Sequence, residues 1–131
     1  METIVQHSVI LPGTPAALYA MYLDPAQHAA FTGGPVTIAA ASGAVFEAFG
    51  GRIHGVIVHL TPGRQIVQTW RSFEWAPDDL DSLLVLSFWP DAGGTRLDLA
   101  QVNVPERLCA TLQANWPMRY LDPWREYLAS R

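Results

Sequence analysis

The chain contains no lysine, and none of its eight arginines precedes Arg52. The N-terminal stretch therefore lacks the basic flank of a secretory signal, and it cannot serve as a basic arm on nucleic acid. A formal net charge of −4 also argues against a surface that tracks phosphates. No apolar run approaches the ~20 residues that a membrane span needs. The single cysteine, Cys109, cannot form an internal disulfide, so a reduced cytoplasmic protein is expected. No Gly-x-Ser-x-Gly elbow is present, and neither Gly50-Gly51 nor Gly93-Gly94 opens a helix as a phosphate loop would. Charged residues make up only 15% of the chain, while 11% are aromatic and five are Trp. That balance fits either a generous core or an apolar cavity. A length of 131 residues suits one domain, residues 1–131, able to bury roughly two-thirds of its extended-chain surface without a staple.

Proline and glycine divide the chain into readable segments. Thr3 to Leu11 is β-branched and apolar around Gln6, His7 and Ser8, and reads as a strand that Pro12-Gly13 ends. Thr14-Pro15 pairs a hydroxyl N-cap with a proline at the first helical position, so Ala16 to Leu23 is a short helix. Asp24-Pro25 repeats the signal for a second short helix running to about Ala30. Candidate strands follow at Val36 to Ala39, Ala44 to Phe49, Arg52 to Leu60, Gln65 to Phe73, Ser82 to Phe88 and Thr95 to Val102. Their short connections favour sequential antiparallel hairpins. Leu84, Leu86 and Phe88 share one face, and Leu97 and Leu99 alternate with Arg96 and Asp98, so one face is buried. After Val104-Pro105 the period becomes helical. Leu112, Trp116, Tyr120, Trp124 and Tyr127 fall on about one-third of a wheel. Pro117 and Pro123 are expected to kink or split that helix, since each removes a hydrogen bond. The order predicts an α+β fold in which a curved antiparallel sheet of about six or seven strands wraps a long C-terminal helix.

Several motifs occur in a recognisable order. Leu60-Thr-Pro-Gly-Arg-Gln-Ile-Val-Gln-Thr-Trp70-Arg71 is followed by Trp75; Gly50-Gly51-Arg52-Ile53-His54-Gly55 precedes it. Gly94-Thr95-Arg96-Leu97, Gln101, Val104-Pro105, Trp116, Tyr120 and Tyr127-Leu128 complete the set. Together they resemble the START-like (SRPBCC) superfamily and its helix-grip fold. More narrowly, they resemble the homologues of the C-terminal domain of the activator of heat-shock protein 90 ATPase. The family usually has Gly before the helix Trp, whereas Asn115 stands here and Pro117 follows. The resemblance also implies that the separate N-terminal domain of the eukaryotic co-chaperones has no counterpart within these residues.

The polar residues give no catalytic constellation. His54 and His59 lie five apart on one predicted strand, which points them to opposite faces. His7 and His28 have no ligand-spaced Cys, Asp or Glu beside them, so neither a metal nor another cofactor is expected. His59 faces inward with Ile57 in one of two registers. Cys109 reads as a packed thiol. Asp78, Asp79 and Asp81 read as a solvated loop. Of Glu47, Gln68, Arg71 and Asp98, parity puts Gln68 inward with Ile66 and Trp70. An inward amide more often satisfies a backbone group or a water than performs chemistry.

The aromatic residues leave two readings open. Trp70, Trp116 and Tyr120 either fill a closed core or line a pocket between sheet and helix, where mostly apolar walls with few polar anchors suit a small ligand. The candidate lining set comprises Phe31, Ile57, His59, Gln68, Trp70 and Leu84, with Leu86, Phe88, Leu97, Leu99, Trp116 and Tyr120. The first expectation, drawn with the resemblance, is a non-catalytic binding domain for a small apolar or aromatic molecule, with a role in stress response. The alternatives are a protein-interaction module that touches a chaperone or another protein, and an enzyme of the polyketide cyclase/aromatase type. Neither nucleic acid nor membrane is an expected partner, and the chain is expected to be a monomer or a homodimer.

Overall fold

The computed structural model describes residues 3–131. Strand β1 (Val5–Pro12) leads into α1 (Pro15–Leu23) and α2 (Pro25–Thr32). Six strands follow: β2 (Val36–Thr37), β3 (Val45–Ala48), β4 (Ile53–Thr61), β5 (Gln65–Ser72), β6 (Ser82–Asp91) and β7 (Gly94–Val102). A 3-10 turn at Glu106–Leu108 opens the C-terminal helix, which runs as α3 (Cys109–Trp116), a π turn (Pro117–Leu121) and α4 (Asp122–Ala129). The strands form one sheet in the order β1-β7-β6-β5-β4-β3-β2, every neighbouring pair antiparallel. This is the helix-grip arrangement.

Local chemistry explains the element boundaries. Thr14 caps α1 by accepting from the Ala17 N–H at 3.1 Å, and Pro15 occupies the first turn, where its missing N–H is no loss. Asp24 does the same for α2, accepting from the amides of Ala26 (2.9 Å) and Gln27 (3.2 Å). Gly33, at φ 81°, ends α2 in the left-handed conformation that glycine adopts without strain. Val36 to Ala39 was expected as a full strand, but pairing covers only Val36–Thr37. Ile38 stays buried without a ladder.

Residues alternate along β5, β6 and β7 as read from parity, with Ile66, Gln68, Trp70, Leu84, Leu86, Phe88, Leu97 and Leu99 all buried. Strand β4 departs from that pattern. A bulge between Ile57 and His59 inserts one residue and reverses the alternation. Ile57 is buried while His59 lies exposed beside Val58. The inward placement of His59 is therefore corrected, and His54 and His59 both sit on the outer face rather than on opposite ones. Closer to the β3 edge, Gly55 approaches β5 so tightly that a Cβ there would lie 1.9 Å from the Thr69 carbonyl oxygen. The Thr69 hydroxyl accepts from the Val56 N–H at 2.8 Å in place of a ladder bond.

The two prolines of the C-terminal helix are absorbed rather than allowed to split it. Pro117 has no N–H for the Gln113 carbonyl, and His7 Nε2 on β1 donates to that oxygen at 2.9 Å. Gln113 returns a side-chain bond to the Gln6 carbonyl at 3.1 Å. In the π turn, the Asp122 N–H reaches back to the Pro117 carbonyl, a wider loop than an α turn makes. This slip puts Pro123 in the first turn of α4, where an absent N–H costs little. It also keeps the four-residue spacing of Leu112, Trp116, Tyr120 and Trp124 on one side, all four buried. An unbroken α-helix would rotate that series by about 40° per step.

Candidate functional site

Where α3 and the π turn cross β5, side chains converge from both. Trp70 on β5 and Trp116 at the end of α3 have ring centroids 5.6 Å apart. Trp75, on the loop after β5, makes an edge contact with Trp70 at 5.5 Å, and Tyr120 meets Trp116 at 5.0 Å. Helix and sheet do not close over these rings. They leave a cleft of about 420 Å³ with Trp70, Trp116, Tyr120 and Leu112 as its buried wall. Its mouth is formed by Phe49 and Ile53 beside β4, by Arg52, Phe73 and Glu74, and by Thr111, Asn115 and Arg119 of the helix.

Behind the wall, the buried polar atoms are joined in two closed sets. In the first, the Trp116 indole donates to Gln101 Oε1 at 2.8 Å, Gln101 Nε2 donates to the Ser82 hydroxyl at 2.9 Å, and that hydroxyl donates to the Trp70 carbonyl at 2.6 Å. This chain fixes the plane of the Trp116 ring. The second is built around His28 of α2, which is fully buried. His28 Nδ1 lies 2.7 Å from the Tyr22 carbonyl, which can only accept, so Nδ1 carries the proton. His28 Nε2 then accepts from the Tyr120 hydroxyl, and the Tyr22 hydroxyl donates to Gln68 Oε1 at 2.5 Å. Burial lowers the His28 pKa to about 4, against the opposing effect of its bond to Tyr22. Burial likewise raises both tyrosine hydroxyls above their ordinary value. At neutral pH every group of this second set is uncharged.

Two buried donors stand outside these sets. The indole N–H groups of Trp70 and Trp75 have no acceptor among the described residues.

Of the residues marked from sequence, the structure brings Trp70, Trp116 and Tyr120 together on the cleft wall. Phe31 lies behind Tyr120, stacked between His28 (5.0 Å) and Trp124 (4.5 Å). Gln68 points inward and is bonded to Tyr22. Ile57, Leu84, Leu86, Phe88, Leu97 and Leu99 belong to the closed core and not to the cleft lining, and His59 is outside both. Glu47 is exposed, and Asp98 on the outer face accepts from the Ser8 hydroxyl at 2.8 Å. The acidic loop is tied down rather than loose. Arg71 donates to the carbonyls of Ala76 and Asp79 (2.7 Å each) and pairs with Asp81 at 3.0 Å. The Arg107 bond to Asp79 at 2.5 Å lowers that carboxyl's pKa. These contacts hold Trp75 against Trp70. The mouth residues Arg52, Phe73, Glu74, Asn115 and Arg119 escaped the parity reading because each is at least partly exposed. Arg119 alone carried a signal, three positions after Trp116 on the same helical face.

Residues 12–129 match the model of the family described as Activator of Hsp90 ATPase homolog 1-like protein. The chain is 32% identical over 123 residues to the mouse protein named Activator of 90 kDa heat shock protein ATPase homolog 2, covering 93% of this chain and 37% of that one. It is 29% identical over 110 residues to a Dictyostelium discoideum protein named Activator of 90 kDa heat shock protein ATPase homolog, covering 83% of this chain and 28% of that one. The chain thus spans about a third of the length of these relatives. Among solved structures, an HSP90 activator from Plasmodium falciparum superposes with a TM-score of 0.89 at 19% identity, covering 98% of this chain and 97% of that one. At that identity the likeness concerns the fold.

Proposed function

The chain belongs to the Activator of Hsp90 ATPase homolog 1-like family, and we propose that it is a non-catalytic binding domain for a small apolar or aromatic molecule. The ligand occupies the cleft between β5 and the C-terminal helix. One observation carries this reading: a space of about 420 Å³ walled by Trp70, Trp116 and Tyr120, of the size and character of small-molecule pockets. The wall is rigid before any ligand arrives, because the Trp116 indole is bonded to Gln101 and Tyr120 to His28. A preformed wall lowers the ordering cost of binding. The two hydrogen-bonded sets behind it are neutral and already paired, an arrangement suited to holding a molecule rather than transforming it. Residues 1–131 act as one domain, and the working compartment is the cytoplasm, where Cys109 stays reduced.

Titration with Nile red, a neutral apolar dye, tests the site. The wild type is expected to bind one equivalent with enhanced emission. Asn115→Trp, which adds bulk at a half-buried mouth position, is expected to abolish binding while the melting temperature holds. Absence of dye binding by the wild type would overturn the reading.

The names of the two relatives favour a second one, a protein-interaction module that docks on a chaperone. Stimulation of the ATPase of a purified Hsp90 by this chain would support it, and unchanged binding and turnover would exclude it.

A further inference from the structure

We propose that the cleft selects a carboxylate: a molecule whose apolar ring system lies on Trp70 and Trp116 and whose acid group is held at the mouth by Arg52 and Arg119. The proposal rests on the ligand-binding reading above and specifies its chemistry. Arginine is the only cationic residue type besides histidine in a chain with net charge −4, and the placement of each one is therefore informative. Arg71, Arg96, Arg107 and Arg125 are each paired with an aspartate. Arg64 donates to the Phe88 carbonyl, and Arg131 to the Tyr127 hydroxyl and Gln27. Arg52 and Arg119 alone have neither an ion pair nor a side-chain hydrogen bond among the described residues, and both line the same cleft. Glu74 shares the mouth without an ion pair to either, so the mouth carries a net positive charge on an acidic protein.

The Arg52 guanidinium sits 4.5 Å from the centroid of the Phe73 ring. Stacking of this kind restrains a guanidinium by its face and leaves its N–H edge available, the geometry that binds a carboxylate in bidentate fashion. Phe73 is 62% exposed, so the stacked pair stands at the solvent edge of the cleft. The cleft volume is at the small end of ligand pockets, so the body is one or two fused rings or a short chain, with the acid at its edge.

Isothermal titration with 2-naphthoate and its neutral isostere 2-naphthamide tests the proposal on the wild type, Arg52→Gln, Arg119→Gln and Glu74→Gln. All three positions are exposed, and thermal melts confirm folding of each variant. Naphthoate is expected to bind about tenfold or more tightly than naphthamide, as a charge-assisted contact warrants. Each arginine substitution should remove most of that preference while leaving naphthamide unchanged, and Glu74→Gln should raise naphthoate affinity. Added salt should erode the preference, because the mouth is open to solvent. Equal binding of the two probes, unaffected by the substitutions, refutes the carboxylate preference and leaves the apolar pocket intact. Binding of neither probe refutes both.

Discussion

Acid should destabilise this protein through His28. The ring is fully buried, donates from Nδ1 to the Tyr22 carbonyl and accepts at Nε2 from Tyr120. Its other ring neighbours are Phe31 and Phe46, and among the described residues no carboxylate pairs with it. A second proton on Nε2 would therefore displace the Tyr120 hydroxyl and place a charge where nothing compensates it. The folded-state pKa is about 4, against roughly 6.5 for an unfolded histidine. Above pH ~6.5 the ring is neutral in both states and the site is indifferent to pH. As the pH falls below that value the unfolded chain takes up a proton that the folded chain refuses, so stability drops. The loss is about 2 kcal/mol at pH 5 and about 3 kcal/mol at pH 4, where the folded ring begins to titrate. Out of the ~5–15 kcal/mol available to a domain, that is a large fraction. Urea unfolding at pH 8, 6 and 5, followed by tryptophan emission, measures the slope in the wild type and in His28→Gln. The variant is expected to be less stable throughout but nearly flat between pH 8 and 5. Equal slopes in the two proteins would show that His28 is not the acid-sensitive group.

Three further outcomes follow from the packing. Gly55→Ala places a methyl 1.9 Å from the Thr69 carbonyl oxygen, so β4 and β5 must part; a loss of at least ~3 kcal/mol is expected on overpacking grounds, read from the urea midpoint. Trp124→Ala removes a 1% exposed ring stacked on Phe31 and bonded to Met21, and should cost ~3–5 kcal/mol in the same assay. Gln101→Leu leaves the Trp116 indole and the Ser82 hydroxyl short of partners. About 1–3 kcal/mol should be lost, with a shift in Trp116 emission.

Much of the architecture could be read from punctuation and parity because each rests on local rules. Thr14-Pro15 and Asp24-Pro25 set the helix starts through capping alone. Two-residue alternation placed Gln68 and Trp70 on the same inward face of β5. His59 was misplaced because a bulge within Val56-Ile57-Val58-His59 has no glycine or asparagine to betray it. Such a feature depends on the neighbouring strand. The aromatic wall was legible from the periodicity of Trp116 and Tyr120. Its volume was not, since that depends on how far β5 stands from α3. The prolines were visible, but their remedy was not: the His7 bond to the Gln113 carbonyl joins residues 106 positions apart. Nothing in the sequence marked Arg52 and Arg119 as a pair. Their lack of partners is a property of the folded surface.

The pairing of β1 with β7, and the bond from His7 to the proline-disrupted helix, have a consequence for how the chain is made. Val5 finds its ladder partner in Gln101, and the His7 imidazole finds its acceptor later still, at Gln113. On a ribosome, β1 must therefore emerge and wait until β7 has been synthesised. The β4–β5 and β5–β6 hairpins can pair as they appear, since their contacts are local. The first strand carries Val5, Val9 and Leu11 on the side that will be buried, and during this interval those side chains have no cover. Assembly thus waits on closure of a long loop, the kind of step that sets slow folding rates. An unpaired apolar strand held open for that time is also the segment most exposed to association between nascent chains.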